Sequence, residues 1–375
     1  MKNTVCSRTL KLIALIVPLV IIFAIFQEYL FTYKDYNTLR IENFYKEEAH
    51  SLDVVFMGAS EVFTGYSPAA AYEEFGFTSY MYAMDSNRGS LYLSQLKEVL
   101  KHQSPEVLFV DVGGFLVADD SALYEDARMR IYVESIPFSA NKVQTIMEYP
   151  YEDKFSLFMP LMMHHGDLDS AWLHFKDAVK KVVYYPTPPV DIRGITTVTG
   201  IYTGPGDARI PADPDTYRIT DNCKAHLQEF LDYCRYEKLD NIVFVNFPRR
   251  IADENKNTVM ILLKQVEEIL ASYDYPLLNL QNEMERIGID INRDFYNEHH
   301  MNIYGQEKLT GFFGNLLMNE YGLTPRPQSA HSRQKWEACV VNAHEFYEMT
   351  DRGIKAGEDL LLSEAADIWV FRHVR

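Results

Sequence analysis

The sequence predicts an α/β protein with a mostly parallel central sheet, an inserted loop-rich and helical region, and one N-terminal transmembrane helix. Three observations lead there. Short apolar runs alternate with helix-period stretches on either side of a proline-rich segment, which is the rhythm of a parallel sheet covered by helices on both faces. An unbroken apolar run near the N-terminus has basic residues on one side only. A Gly-x-Ser follows the first strand and a histidine precedes the last sheet-side helix, and ligands bind beyond the carboxyl ends of strands in open α/β sheets.

The elements follow in order. Leu12–Phe26 carries no polar side chain, and Tyr29, Leu30, Phe31 and Tyr33 extend it, just long enough for ~30 Å of hydrocarbon. Lys2, Arg8 and Lys11 precede the run, so the positive-inside rule puts the N-terminus in the cytoplasm and the chain beyond residue 34 outside. No small-residue cleavage pattern follows, which favours an uncleaved signal-anchor over a signal peptide. Residues 1–34 are therefore expected to be the cytoplasmic end and membrane anchor. Residues 35–50 are polar and helical in pattern and read as a stalk or surface helix.

Residues 52–57 are a short buried strand ending at Gly58. Ser67-Pro68 opens a helix, Phe77–Met84 is a second strand, residues 91–100 an amphipathic helix, and Glu106–Val112 a third strand. Nine prolines then fall between Pro137 and Pro214, and residues 115–215 are expected to be an insertion of helices and long loops. The rhythm resumes with a helix from Asp221 to Glu237, a strand from Asn241 to Phe247, a helix from Glu254 to Ser272, a strand from Pro276 to Leu280, and a helix from Gly305 to Tyr321. The α/β domain thus spans 51–114 and 216–323, and 324–375 is a helical C-terminal extension.

The net charge of −17 argues against nucleic acid or a broad anionic lipid surface as partner. Of the four cysteines, Cys223 and Cys234 share one expected helix, where eleven residues at ~1.5 Å each hold them roughly 16 Å apart. Cys223, Cys234 and Cys339 are expected as unpaired, buried thiols. No CxxC, H-x-x-x-H or H-E-x-x-H spacing occurs, so neither a metal nor any other cofactor is expected.

The chemistry-bearing residues are Gly58-Ala59-Ser60-Glu61 and Asp294-Phe295-Tyr296-Asn297-Glu298-His299-His300-Met301-Asn302. Alone, a Gly-x-Ser after a strand is most often a packing feature. A serine hydroxyl needs a base within hydrogen-bond reach to become a nucleophile, and His300 is the candidate. Together the two segments resemble the SGNH/GDSL hydrolase superfamily, closest to its membrane-anchored branch with the teichoic acid D-alanine transfer protein and the alginate O-acetylation proteins. The resemblance covers about residues 50–115 and 218–322. It implies a three-layer fold with Ser60 as nucleophile, His300 as base, and the main-chain N–H groups of Ser60 and Gly89 in the oxyanion hole.

This sequence departs from the family pattern twice. Asn297 stands where the family has aspartate, leaving Asp294 and Glu298 as further candidates to orient His300. The stretch after strand three, Asp111-Val112-Gly113-Gly114, lacks the family's asparagine. Arg249 and Arg250 follow the strand ending at Phe247 and suit recognition of an anionic polymer, although a solvated pair is the commoner role.

The resemblance implies an extracytoplasmic serine esterase or O-acyltransferase acting through an acyl-serine intermediate. Its expected substrate is a cell-envelope polysaccharide or teichoic acid-like polymer, and a membrane-bound O-acyltransferase is an expected partner. The alternative is an inactive glycan-binding or scaffold module of the same fold.

Overall fold

A computed structural model describes residues 11–22, 36–159, 192–358 and 361–363. The chain divides into two units, one of residues 1–35 and 151–188 and the other of residues 36–150 and 189–375. In the first, the described residues form a helix over 11–22, with its apolar side chains exposed, and a helix Lys154–Phe158. No helix among the described residues is long and apolar enough to cross a membrane. Residues 1–10 and 23–34 of the expected anchor, and 160–191 of the expected insertion, lie outside the described residues.

The second unit is built on a five-stranded sheet. Strands β1 (Val54–Gly58), β2 (Ser79–Ala83) and β3 (Val107–Asp111) are buried along their whole length. Continuous apolar runs of this kind mark strands covered on both faces. Between β3 and the second half of the sheet comes a short β4 (Thr196–Val198), which pairs antiparallel with β7 (Leu361–Ser363) in a separate ribbon. The sheet is completed by β5 (Ile242–Asn246) and β6 (Leu277–Asn279), in the order β2-β1-β3-β5-β6 with every pair parallel. Phe109 lies opposite both Phe56 of β1 and Val243 of β5, so the sequence regions on either side of the expected insertion share one sheet.

Strands are added in opposite directions on the two sides of β1 and β3. That switch opens a crevice beyond their carboxyl ends, where Ser60 follows β1 and Asp111 ends β3. On one face, Phe56 and Phe109 stack at 4.7 Å, and Phe313 of the helix Ile303–Asn315 meets both edge-on at 5.1 Å. On the other, the helices Gly89–His102 and Asp221–Glu237 pack side by side. Cys223, Cys234 and Cys339 are buried and form no disulfide.

The structure changes three expectations about organisation. Residues 36–44 are not a stalk: the helix Tyr36–Phe44 buries Arg40, Ile41 and Phe44 completely. Arg40 is the reason a polar segment can be core. It donates to the carbonyls of Ala83 and Gly194 and to Thr196 Oγ1, with its guanidinium 3.7 Å from the centre of the Phe63 ring, so its burial is compensated.

The span 115–215 is not a single insertion. The helices Asp126–Ser135 and Ala140–Glu148 belong to the second unit, packing on Tyr36–Phe44 and Gly89–His102 respectively. Nor is the C-terminal helix Ala330–Ala356 an appendage. It buries Trp336, Cys339, Ala343 and Phe346 in the same core cluster or against its edge, with Trp336 stacked on Tyr72 at 5.0 Å and covered by the Arg193 guanidinium at 4.5 Å.

Candidate active site

Ser60 is placed by close packing at the end of β1. Gly58 is glycine because β3 runs against it: a Cβ there would sit 2.5 Å from Asp111 Cβ and 2.6 Å from a Val62 methyl. The chain then turns into the short helix Ser60–Gly65, whose first residue is Ser60. Gln306, from the helix Ile303–Asn315, donates to the carbonyls of Phe63 and Thr64 at 3.1 and 3.2 Å. One buried amide therefore ties the serine's helix to the helix that follows His300.

His300 is held in a tight turn closed by a bridge between Phe295 and Met301. Asn302 N donates to Asp294 O at 3.0 Å, and the Asn302 side chain caps the next helix by accepting from the N–H of Tyr304 and Gly305. Inside the turn, Asn297 Oδ1 accepts from the main-chain N–H of His299 at 2.8 Å and of His300 at 2.9 Å, a local bond pattern typical of asparagine in turns. The Tyr296 ring stacks on the imidazole at 5.4 Å.

This geometry brings His300 Nε2 to 2.7 Å from Ser60 Oγ. Asn297 approaches the other ring nitrogen, with Nδ2 at 2.9 Å and Oδ1 at 3.1 Å from Nδ1. A serine–imidazole contact of that length is what general-base activation requires.

A charged cluster lies beside the pair. Glu61 Oε1 receives Arg249 Nη2 at 2.6 Å, and Glu61 Oε2 is 3.4 Å from Ser60 Oγ. Burial pushes the Glu61 carboxyl up, but Arg249, His300 and a main-chain N–H together outweigh it and hold the group below its ordinary range. Asp111 is buried, and both burial and repulsion from Glu61 raise its pKa. It keeps main-chain partners, accepting from Gly113 N at 3.1 Å and from Ala59 N at 3.5 Å. His300 sits below its ordinary value because burial disfavours the imidazolium. Glu61 and Asp85 act against that shift, and Arg249 reinforces it. The imidazole is thus neutral at neutral pH, as a base must be.

No family model matches this chain. No curated protein sequence matches it either. Among solved structures, a protein of Parabacteroides merdae ATCC 43184 provisionally described as a GDSL-like lipase is similar over 74% of this chain and 99% of that one, at 12% identity and a TM-score of 0.30. At that distance the chemistry of this site stands on its own residues.

The structure separates the residues expected near His300. Asn297 is the one whose side chain meets the ring. Asp294 is fully buried and turned away, accepting from Asp290 N at 2.7 Å and from Lys308 Nζ at 2.6 Å. Glu298 accepts from Tyr202 OH at 2.7 Å. Neither carboxylate takes the triad position, because each is engaged elsewhere, Asp294 with Lys308 and Asp290 N and Glu298 with Tyr202. Arg250 is not a substrate arginine: it is buried and donates to the carbonyls of Tyr202 at 3.1 Å and Gly204 at 2.5 Å. Arg249 does reach the site, but as the partner of Glu61. Gly89 opens the helix Gly89–His102, where first-turn N–H groups lack intrahelical partners, and the Phe115 ring demands a glycine, since a Cβ would lie 2.3 Å from it.

Glu61, Asp111, Tyr296 and Gln306 were not singled out for a role in the sequence. Glu61 directly follows the serine and Asp111 ends the third strand, so both positions were in view. That one would hold Arg249 and the other would sit against Gly58 depends on how β1, β3 and β5 line up.

Proposed function

We propose that this protein is a serine-dependent acyl-transfer enzyme, an esterase or O-acyltransferase, of low intrinsic turnover. The observation that carries the reading is the 2.7 Å contact between Ser60 Oγ and His300 Nε2 at the carboxyl edge of the sheet. In the reaction Ser60 Oγ attacks an acyl carbonyl and its proton passes to His300 Nε2. The leaving alcohol takes that proton as the carbonyl–oxygen bond breaks, and the acyl-serine is resolved by water or by an acceptor hydroxyl. Ser60 N–H and Gly89 N–H, each in the first turn of a helix, are the oxyanion donors in this reading. Asn297 can orient the ring but brings no negative charge to the imidazolium formed in the step, which limits the rate.

The apolar N-terminal run with its basic flank supports an extracytoplasmic site on a membrane-anchored chain. Envelope polysaccharide or a teichoic acid-like polymer is then the substrate class, with a membrane-bound O-acyltransferase as the supplier of acyl groups. A second reading, an inactive glycan-binding module, is favoured by Asn297 and by the buried Asp111 carboxyl where an oxyanion-hole amide would serve. Turnover of an activated acetyl ester by the full chain, abolished in both Ser60→Ala and His300→Ala with unchanged unfolding midpoints, supports the enzyme. A wild-type chain with neither turnover nor fluorophosphonate labelling of Ser60 leaves the binding module.

A further inference from the structure

The proton on the His300 ring can be placed from the hydrogen-bond inventory of its turn. Asn297 Oδ1 already accepts two main-chain N–H groups, from His299 and His300. A carbonyl oxygen has two lone pairs, so both are engaged. Flipping the amide would set its NH2 group against those same two donors, so the orientation is fixed by the turn itself. The amide Nδ2 then faces His300 Nδ1 at 2.9 Å. Nδ2 can only donate, so the ring nitrogen opposite it must be the bare one. In a neutral imidazole the remaining proton then belongs to Nε2, which is 2.7 Å from Ser60 Oγ. With Nε2–H donating to it, the serine directs its own proton elsewhere, and Glu61 Oε2 is the acceptor within reach at 3.4 Å. Arg249, 2.6 Å from the other carboxylate oxygen, keeps Glu61 ionised as that acceptor.

We propose that Asn297 is a positioning residue that holds the resting site in an inverted hydrogen-bond relay, running from Asn297 Nδ2–H to His300 Nδ1, from His300 Nε2–H to Ser60 Oγ, and from Ser60 Oγ–H to Glu61. Every member of the chain is satisfied in this polarity, and His300 has no free lone pair to offer the serine. The site is latent: Ser60 becomes a nucleophile only when the ring proton moves to Nδ1, and the competing acceptor there, Asn297 Oδ1 at 3.1 Å, is already occupied. An aspartate at 297 keeps an oxygen for the two main-chain donors and supplies a second oxygen for Nδ1–H, which frees Nε2. Tautomer control of this kind follows from which groups can only donate and which can only accept. The consequence for rate rests on the acyl-transfer reading, whereas the placement of the proton does not.

The test is nitrogen NMR of the full chain labelled with 15N-histidine at pH 8, with the His300 signals identified by their loss in His300→Gln. The shifts of the two ring nitrogens separate a protonated from a bare position. The wild-type ring is expected with Nε2 protonated and Nδ1 bare, and Asn297→Asp is expected to reverse the pattern. The same variant should raise the rate of fluorophosphonate labelling at Ser60 by about tenfold or more, since a misplaced tautomer alone slows serine catalysis by orders of magnitude. A wild-type spectrum with the proton on Nδ1 overturns the proposal whether or not any variant folds, and so does an unchanged tautomer in a folded Asn297→Asp. The expected spectra without labelling in either protein would uphold the relay and remove the acyl-transfer reading instead.

Discussion

Glu61 stands one residue beyond the candidate nucleophile and is the foremost of the charges that raise the His300 pKa. Its carboxylate favours the imidazolium, while burial, the largest influence, and Arg249 disfavour it. The net result lies below the ordinary 6.5 of histidine, so the acid limb of a kcat/KM profile should fall below that value in the wild type. The sign for Glu61→Gln follows directly. Removing an influence that raises the pKa lowers it further, and the acid limb should move to still lower pH. The same substitution leaves Arg249 with its main ion-pair partner gone in a nearly closed environment, and loss of one member of such a pair costs about 3–5 kcal/mol. A pH–rate profile together with urea unfolding separates the two effects. An acid limb that stays in place or moves upward would show that Glu61 does not act on the imidazole.

At the scale of elements, the strand–helix rhythm was legible because parallel strands buried on both faces appear as short apolar runs, as β1, β3 and β5 do over their first four residues and β2 does after Ser79. The turn that carries His300 was legible only as a position. Its geometry comes from Asn302, which is fully buried. The Oδ1 atom caps the helix Ile303–Asn315, and Nδ2 donates to the carbonyls of Arg293 at 2.6 Å and Gly200 at 3.0 Å. Asn302→Ala removes a cap, for about 1–2 kcal/mol, and strands buried carbonyls at about 1–3 kcal/mol more. Urea unfolding should record a loss of about 2–5 kcal/mol, with a lower kcat in any variant that remains folded, since His300 lies two residues away. A variant as stable as the wild type would mean the turn is held by its other bonds.

Across the whole molecule, segments far apart in sequence complete one core. The helix Tyr36–Phe44, the ribbon of β4 and β7, and the helix Ala330–Ala356 all belong to the unit that carries the site. Trp336 is the clearest marker, 1% exposed between the Tyr72 ring and the Arg193 guanidinium. Trp336→Ala should cost about 3–5 kcal/mol, the usual price of emptying a buried aromatic site. Unfolding followed by a probe on the parallel sheet and by one on the C-terminal helix should show a single shared transition that moves to lower denaturant. Two separated transitions would mean that the helix folds as an appendage after all.

The sequence by itself determined the parallel sheet, the order of most of its elements, and Ser60 and His300 as the pair to watch. Those features are local: apolar runs, caps and a glycine before a serine record the geometry of the few residues around them. Only the tertiary structure decided that Asn297, rather than Asp294 or Glu298, meets the imidazole, that Arg249 is neutralised by Glu61, and that Arg250 is turned inward. It also decided that Arg40 makes core out of a segment that reads as a stalk. Each of these depends on which polar groups a buried side chain finds as partners. Partners can lie 240 positions apart along the chain, as with Ser60 and His300, and no periodicity in the sequence encodes that pairing.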